Sequence, residues 1–175
     1  MTPDTLGPLS RPVPLHTITP AGVTMTVVAT APERDALAAD LDLPALHALE
    51  GRFRLVGDPD RIRVTGTVTA QLDRLCVVTL EPFTTSLSEE VEVEFKAPDR
   101  RRSGREIDVD PDEVPVDELL GDRIDLGTIT SEFLALGLDP YPKKPGVAFE
   151  PPAEPAASDS PFARLASLRP DETKT

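Results

Sequence analysis

The sequence predicts an α+β fold: a curled, mainly antiparallel β-sheet or partial barrel covered by two helices, with a Pro-rich disordered C-terminal tail. Three observations carry this expectation. Two long stretches have an apolar residue at nearly every second position, two shorter stretches carry apolar residues at helical spacing between capping residues, and proline is unevenly distributed. Of the 20 prolines, five lie in the first 20 residues and eight between Pro140 and Pro170, so the ends read as extended and the middle as folded.

In chain order, residues 1–10 are expected to be a flexible N-terminal arm, 11–142 an α+β domain, and 143–175 a disordered linker with a short terminal helix motif. Val23, Met25, Val27 and Ala29 alternate as a strand. Thr30 or Ala31 then precedes Pro32, which suits the start of a helix, Leu37 and Leu41 share one helical face, and Leu43-Pro44 ends it. Arg52 to Val56, followed by Gly57-Asp58-Pro59-Asp60, predict a strand and a tight turn forming a hairpin with the next strand. In that strand Ile62, Val64, Gly66, Val68, Ala70 and Leu72 make one face, and Arg61, Arg63, Thr65, Thr67, Thr69, Gln71 and Asp73 the other. This is the pattern of an antiparallel sheet with one wet face, and the helices are the natural cover for the other.

Phe83, Leu87, Val91, Val93 and Phe95 repeat the alternation, interrupted by Glu89 on the apolar face, where a bulge is expected. Residues 97–122 read as an inserted loop, basic and then acidic. Asp125 is placed to cap a second helix in which Leu126, Ile129, Phe133 and Leu136 follow helical spacing, with Gly137 and Pro140 as stop signals. Residues 143–160 combine Pro, Ala, Glu and Ser with too few apolar side chains to offset the entropy of ordering. Beyond them Ser160-Pro161 starts a short helical pattern with Phe162, Leu165 and Leu168 on one side, suited either to a partner's groove or to folding back on the domain.

The charge is lopsided: 18 Lys and Arg against 31 Asp and Glu give −13. Such a field repels a phosphate backbone and argues against non-specific nucleic-acid binding, while it attracts basic proteins. No apolar run approaches the roughly 18 residues of a membrane span, and the N-terminus has no basic region followed by an apolar one. The single Cys76 cannot pair within the chain or supply a structural zinc site, so a reducing cytoplasm fits best.

Signatures of chemistry are scarce. The glycines are too dispersed for a phosphate-binding loop, and no nucleophile elbow is present. His16 and His47 have no local ligand partners and read as ordinary surface or edge histidines. Asp108, Asp110 and Asp112 open like a calcium loop, but Glu113 stands where the turn needs Gly and Leu119 where a bidentate Glu belongs. A solvated acidic loop is preferred there, with a metal-dependent hydrolase or nuclease as the competing reading. Arg100, Arg101, Arg102 and Arg105 concentrate positive charge and can clamp phosphates, but without interleaved aromatics they are read as screening the flanking acids.

Cys76-Val77-Val78-Thr79-Leu80-Glu81-Pro82-Phe83, Arg123-Ile124-Asp125-Leu126-Gly127, Glu132, Asp139-Pro140-Tyr141-Pro142 and Ser160-Pro161-Phe162-Ala163, in this order and separated by an acidic loop, resemble the bacterial YceD family. The resemblance runs from about residue 10 to 168. It implies a non-catalytic cytoplasmic factor supporting accumulation of large-subunit ribosomal RNA, with no catalytic residue, cofactor or metal. Many relatives resemble C-x-x-C-L-E-P at the first block; here Thr79 stands at the second cysteine position, so a metal or redox pair is not available and Cys76 is expected to be a partly buried apolar residue. Combined with the charge, the resemblance points to a basic ribosomal protein or an RNA-processing factor as partner, with direct RNA contact left open and neither membrane nor DNA expected. Glu90, Glu92, Glu94, Asp108, Asp110, Asp112, the three arginines 100–102, Phe162 and Leu165 are the candidate contact residues. A scaffold acting only through the tail is a third reading.

Overall fold

The computed structural model describes residues 7–58, 60–96, 117–119 and 121–149. The chain divides into two compact units, Met1–Pro145 and Gly146–Thr175. The first contains strands β1 (Pro12–Pro14), β2 (Val23–Val28), β3 (Ala45–Asp58), β4 (Arg61–Leu75), β5 (Pro82–Lys96), β6 (Asp117–Glu118) and β7 (Arg123–Asp125), and helices α1 (Ala31–Asp40) and α2 (Leu126–Leu136). A five-stranded sheet runs β2-β3-β4-β5-β6, antiparallel except for the parallel β5–β6 pair, and β1 and β7 form a separate antiparallel pair. The α+β class and the two helices are as expected. The sheet stays open rather than closing into a partial barrel: β6 is only two residues long, and α2 packs across the sheet.

The period-two pattern of β4 places Ile62, Val64, Val68 and Leu72 at 0–1% exposure, in one core with Leu49, Phe53 and Leu55 of β3. Burying each such side chain stabilises the fold by about 1.5–3 kcal/mol before entropy is counted. Close packing against this face requires two glycines. A Cβ at Gly66 would meet Arg52 O at 2.1 Å, and one at Gly51 would meet the Phe53 ring at 2.5 Å and Thr130 Oγ1 of α2 at 2.7 Å. Phe53 lies opposite Gly66, and its ring folds over Gly51 and fills the space left there.

The β3–β4 hairpin turns as predicted, with Asp58 Oδ1 accepting from Asp60 N at 3.0 Å and Arg61 N at 3.1 Å. β3 begins at Ala45, seven residues before the predicted strand, because its register shifts between Leu46 and Ala48 and obscures the alternation there. The expected bulge at Glu89 is absent. β4 and β5 pair without interruption from Arg61↔Lys96 to Leu75↔Pro82, and Glu89 sits opposite Val68 on the inner face. Gly137 makes room for it, since a Cβ there would meet Glu89 Cγ at 2.5 Å; its backbone is right-handed, so this glycine serves close packing and not a left-handed helix end.

Part of the N-terminal segment is integral to the fold. Leu9 is fully buried, Ser10 Oγ donates to Asp125 Oδ2, and the Arg11 guanidinium grips both oxygens of Glu33 at 2.8 and 2.9 Å. Glu33 Oε2 also accepts from Thr30 N and Oγ1, both at 2.8 Å, at the start of α1. These donors hold the Glu33 carboxyl down at about 2, with the Arg11 hydrogen bond the largest cause.

Two expectations follow. Because the folded-state value lies below the unfolded one, Glu33 contributes stability that is fully present above pH about 4.5 and lost as the pH falls through about 2. Glu33→Gln should therefore cost about 1 kcal/mol at neutral pH and flatten the acid side of the stability profile, as read by urea unfolding from pH 7 to 2.5. Gly127→Ala should cost more, about 1–3 kcal/mol in the same measurement, because its Cβ would meet Leu9 O and Ser10 Cα, both at 2.7 Å.

Candidate functional site at the Cys76 turn

β4 ends at Leu75 and the chain turns through Cys76–Glu81 before entering β5. Cys76 N donates to Glu81 O at 2.9 Å and Leu80 N to Cys76 O at 2.8 Å, which closes the turn. Closure holds Leu80 at φ 58°, a left-handed conformation that is uncommon for a branched residue. Its side chain is 76% exposed, so no packing compensates for the strained backbone.

The segment after α2 straps across this turn. Val77 N donates to Pro142 O at 2.9 Å, Lys144 N to Cys76 Sγ at 3.4 Å, and Lys144 Nζ to Glu81 Oε2 at 3.1 Å. Arg74 Nη2 reaches Asp139 O at 2.7 Å, while Asp139 Oδ1 accepts from Tyr141 N at 2.8 Å and shapes the strap's own turn. Two blocks more than 50 residues apart in sequence thus form one structure.

Cys76 is fully buried and works as an acceptor, which corrects the expectation of a partly buried apolar residue. The backbone N–H of Lys144, then that of Thr79, stabilise the thiolate against the cost of burial, and the thiol is lowered to about 6; the Thr79 hydroxyl adds to this. Thr79 therefore fills the second cysteine position as a hydrogen-bond partner of the sulfur. Around this polar interior four apolar side chains are exposed, Leu75, Val77, Leu80 and Tyr141, the last by 72%, beside the polar surface of Thr79, Glu81, Asp139 and Lys143.

The other motif residues divide by role. Asp125 Oδ1 accepts from Gly127 N at 2.8 Å, Thr128 N at 3.3 Å and Arg11 N at 2.7 Å, capping α2 as predicted. Leu126 is core, Gly127 admits the N-terminal segment, and Pro142 is the buried residue of the strap between exposed Tyr141 and Lys143. Phe83 is half-buried, Pro82 and Pro140 are exposed, and Glu132 lies on the exposed side of α2. None of Asp125, Gly127 or Glu132 joins the Cys76 turn.

Glu90, Glu92 and Glu94 of β5 lie on the outer face of the sheet. Glu94 meets Arg61 at 2.7 Å and Glu92 meets Arg63 at 3.3 Å, each one step diagonal to the strand register. Arg100, Arg101, Arg102, Arg105, Asp108, Asp110, Asp112, Phe162 and Leu165 lie outside the described residues, as do the linker from residue 150 and the terminal helix motif. Among the described residues, no three His, Cys, Asp or Glu side chains converge as a metal-ligand group. His47 is better connected than its sequence neighbours suggest: the register shift sets its Nε2 3.0 Å from Asp73 Oδ1, which also accepts from Thr84 Oγ1 at 2.7 Å.

Sequence reasoning missed Glu33, Arg11, Lys144 and the strain at Leu80. The first was signalled by Thr30-x-x-Glu33, a capping-box spacing; the other three depend on contacts distant in sequence. The fold and this site define an α+β protein with an open antiparallel sheet, whose most organised surface is a turn strapped from behind by its own chain. Residues 64–169 match the YceD family, described as large ribosomal RNA subunit accumulation protein YceD, and the chain belongs to that family. No curated protein and no solved structure matches it.

The turn makes its own prediction. The Cys76 thiol is lowered in the fold, so its contribution is fully present above the unfolded value of 9.0 and is lost as the pH falls through about 6. The stability difference between the protein and Cys76→Ala should therefore widen from pH 6 to pH 9 in urea unfolding. Iodoacetamide should label Cys76 only under conditions that unfold the protein, because the sulfur is buried.

Proposed function

We propose that this protein is a non-catalytic, cytoplasmic factor that supports accumulation of large-subunit ribosomal RNA by contacting a basic ribosomal protein or an RNA-processing factor. The observation that carries this reading is the convergence of two motif blocks on the Cys76 turn. Many of their polar groups are used on one another, and Leu80, Tyr141, Val77 and Leu75 are exposed around them. A surface of this kind favours docking over turnover, since no activated group faces solvent there. Membership of the YceD family supports the ribosomal RNA part, and a net charge of −13 favours a basic protein partner over the RNA backbone. Among the described residues no helix is long and apolar enough to cross a membrane.

In cells lacking the gene, the ratio of large- to small-subunit ribosomal RNA should fall and be restored by the intact chain. A Leu80→Asp, Tyr141→Asp double variant should fail to restore it while keeping its melting temperature within a few degrees, because both side chains are exposed. An unchanged ratio on deletion overturns the proposal. Tight binding of large-subunit RNA fragments by the purified protein alone at physiological salt overturns the protein-contact version.

A further inference from the structure

β5 is an open edge. β6 pairs with it only at Phe95 and Lys96, and from Pro82 to Glu94 its outer side has no strand partner among the described residues. A long exposed edge invites pairing with another chain, and proteins commonly guard such edges with charge, including charge that points inward. Glu89 is that inward charge: it breaks the apolar alternation without breaking the register.

The ground beneath the edge is incompletely filled. On β4 the inner row is sealed, whereas Phe83, Leu87, Val93 and Phe95 of β5 are only half-buried. Two grooves lie between this row and α2: one of about 290 Å³ around Leu87, Glu89 and Gly137, and one of about 660 Å³ around Val93, Phe95 and Phe133. At the level of the second, Leu136 of α2 is 77% exposed. Glu89 lines the first groove half-buried, with no hydrogen-bond or ion-pair partner among the described residues. On the outer face of the same edge Glu90 and Glu92 are exposed.

The geometry points to β5 as the docking edge for an extended basic segment of a partner protein, added as a further strand. Main-chain hydrogen bonds along the edge supply affinity. Alternating side chains supply selectivity: apolar ones turn inward to the two grooves, one inward Lys or Arg meets Glu89, and outward basic residues meet Glu90 and Glu92. The charge pattern thus excludes an ordinary apolar strand and admits a cationic one. This inference rests on the reading that the partner is a basic protein, and it names the surface and the form that partner takes.

The test titrates the full chain with a fluorescent peptide of alternating Val and Lys carrying one central inward Lys, against a peptide of equal charge with Pro at alternate positions. The alternating peptide should bind at least about tenfold more tightly than the Pro control, and Glu89→Gln should weaken it by about tenfold with no change in melting temperature. Exchange should slow, when the peptide binds, at those β5 amides between Thr84 and Val93 that point away from β4, the alternate ones being already bonded to β4. Equal binding of the two peptides, an unaffected Glu89→Gln, or protection of the outward-pointing amides without peptide overturn the inference; the last would mean that the edge is occupied by this chain or a second copy. Protection of the same amides by large-subunit RNA instead of the peptide would also overturn it.

The ribosomal RNA ratio separates this from the functional reading. If deletion lowers the ratio and Glu89→Gln restores it fully, the edge inference fails and the functional reading stands. If the peptide binds as expected and deletion leaves the ratio unchanged, the functional reading fails and the edge remains a basic-peptide site.

Discussion

The carboxylate of Asp125 joins the two ends of the folded domain. It accepts from Ser10 and Arg11 on one side and from Gly127 and Thr128 on the other, so a single side chain both caps α2 and fixes the segment that runs beneath it. Satisfying the free N–H groups of a helix start is worth about 1 kcal/mol on its own. Its larger effect is positional. Eleven residues of α2 span about 16 Å, so the orientation set at Asp125 decides where Gly137 meets Glu89 and where the strap reaches the Cys76 turn.

Close approach is possible because the sheet yields space to α2 at Gly51 and α2 yields space to the N-terminal segment at Gly127. Thr130, fully buried, returns its hydroxyl to Leu126 O at 2.7 Å and so adds no unsatisfied group to that contact. Arg11 extends the same clamp to α1 through Glu33, which ties both helices to one short stretch of extended chain. The ion pairs on the outer face of the sheet are of a different kind. Arg61–Glu94 and Arg63–Glu92 lie on the wet face of the sheet with their arginines exposed, and they shape the charge of the surface more than they hold the fold.

Elements with one wet and one dry face were legible in the sequence because periodicity reports burial directly. β4 is the clearest case, and α2, with its Asp125 cap, the next. Legibility failed where a tertiary contact replaces a local rule. Ala45–Gly51 was lost because one extra residue at His47 shifts the alternation by a single position, which exchanges the faces. Glu89 was taken for a bulge because the sequence carries no record of an edge or of a glycine waiting above it. Cys76 was legible as a motif residue but not as an acceptor, since its nearest donors include Lys144, 68 residues away.

The Cys76 turn and the β5 edge are neighbours and not independent features. The groove that holds Glu89 is also bounded by Arg74 and Phe83, in the strand ends that flank the turn, and by Pro142 and Lys143 of its strap. Anything that loosens the strap, whether protonation of the Cys76 sulfur or loss of the Lys144–Glu81 contact, removes one wall of that groove. The order of dependence therefore runs from Asp125 through α2 to the strap, and from the strap to both surfaces at once. A fold with its most elaborate hydrogen bonding placed behind an exposed apolar turn, beside an unpaired acidic edge, holds a binding surface in shape before any partner arrives. Preorganisation of that kind lowers the entropy cost of association, which is what the proposed docking of a flexible, basic chain requires.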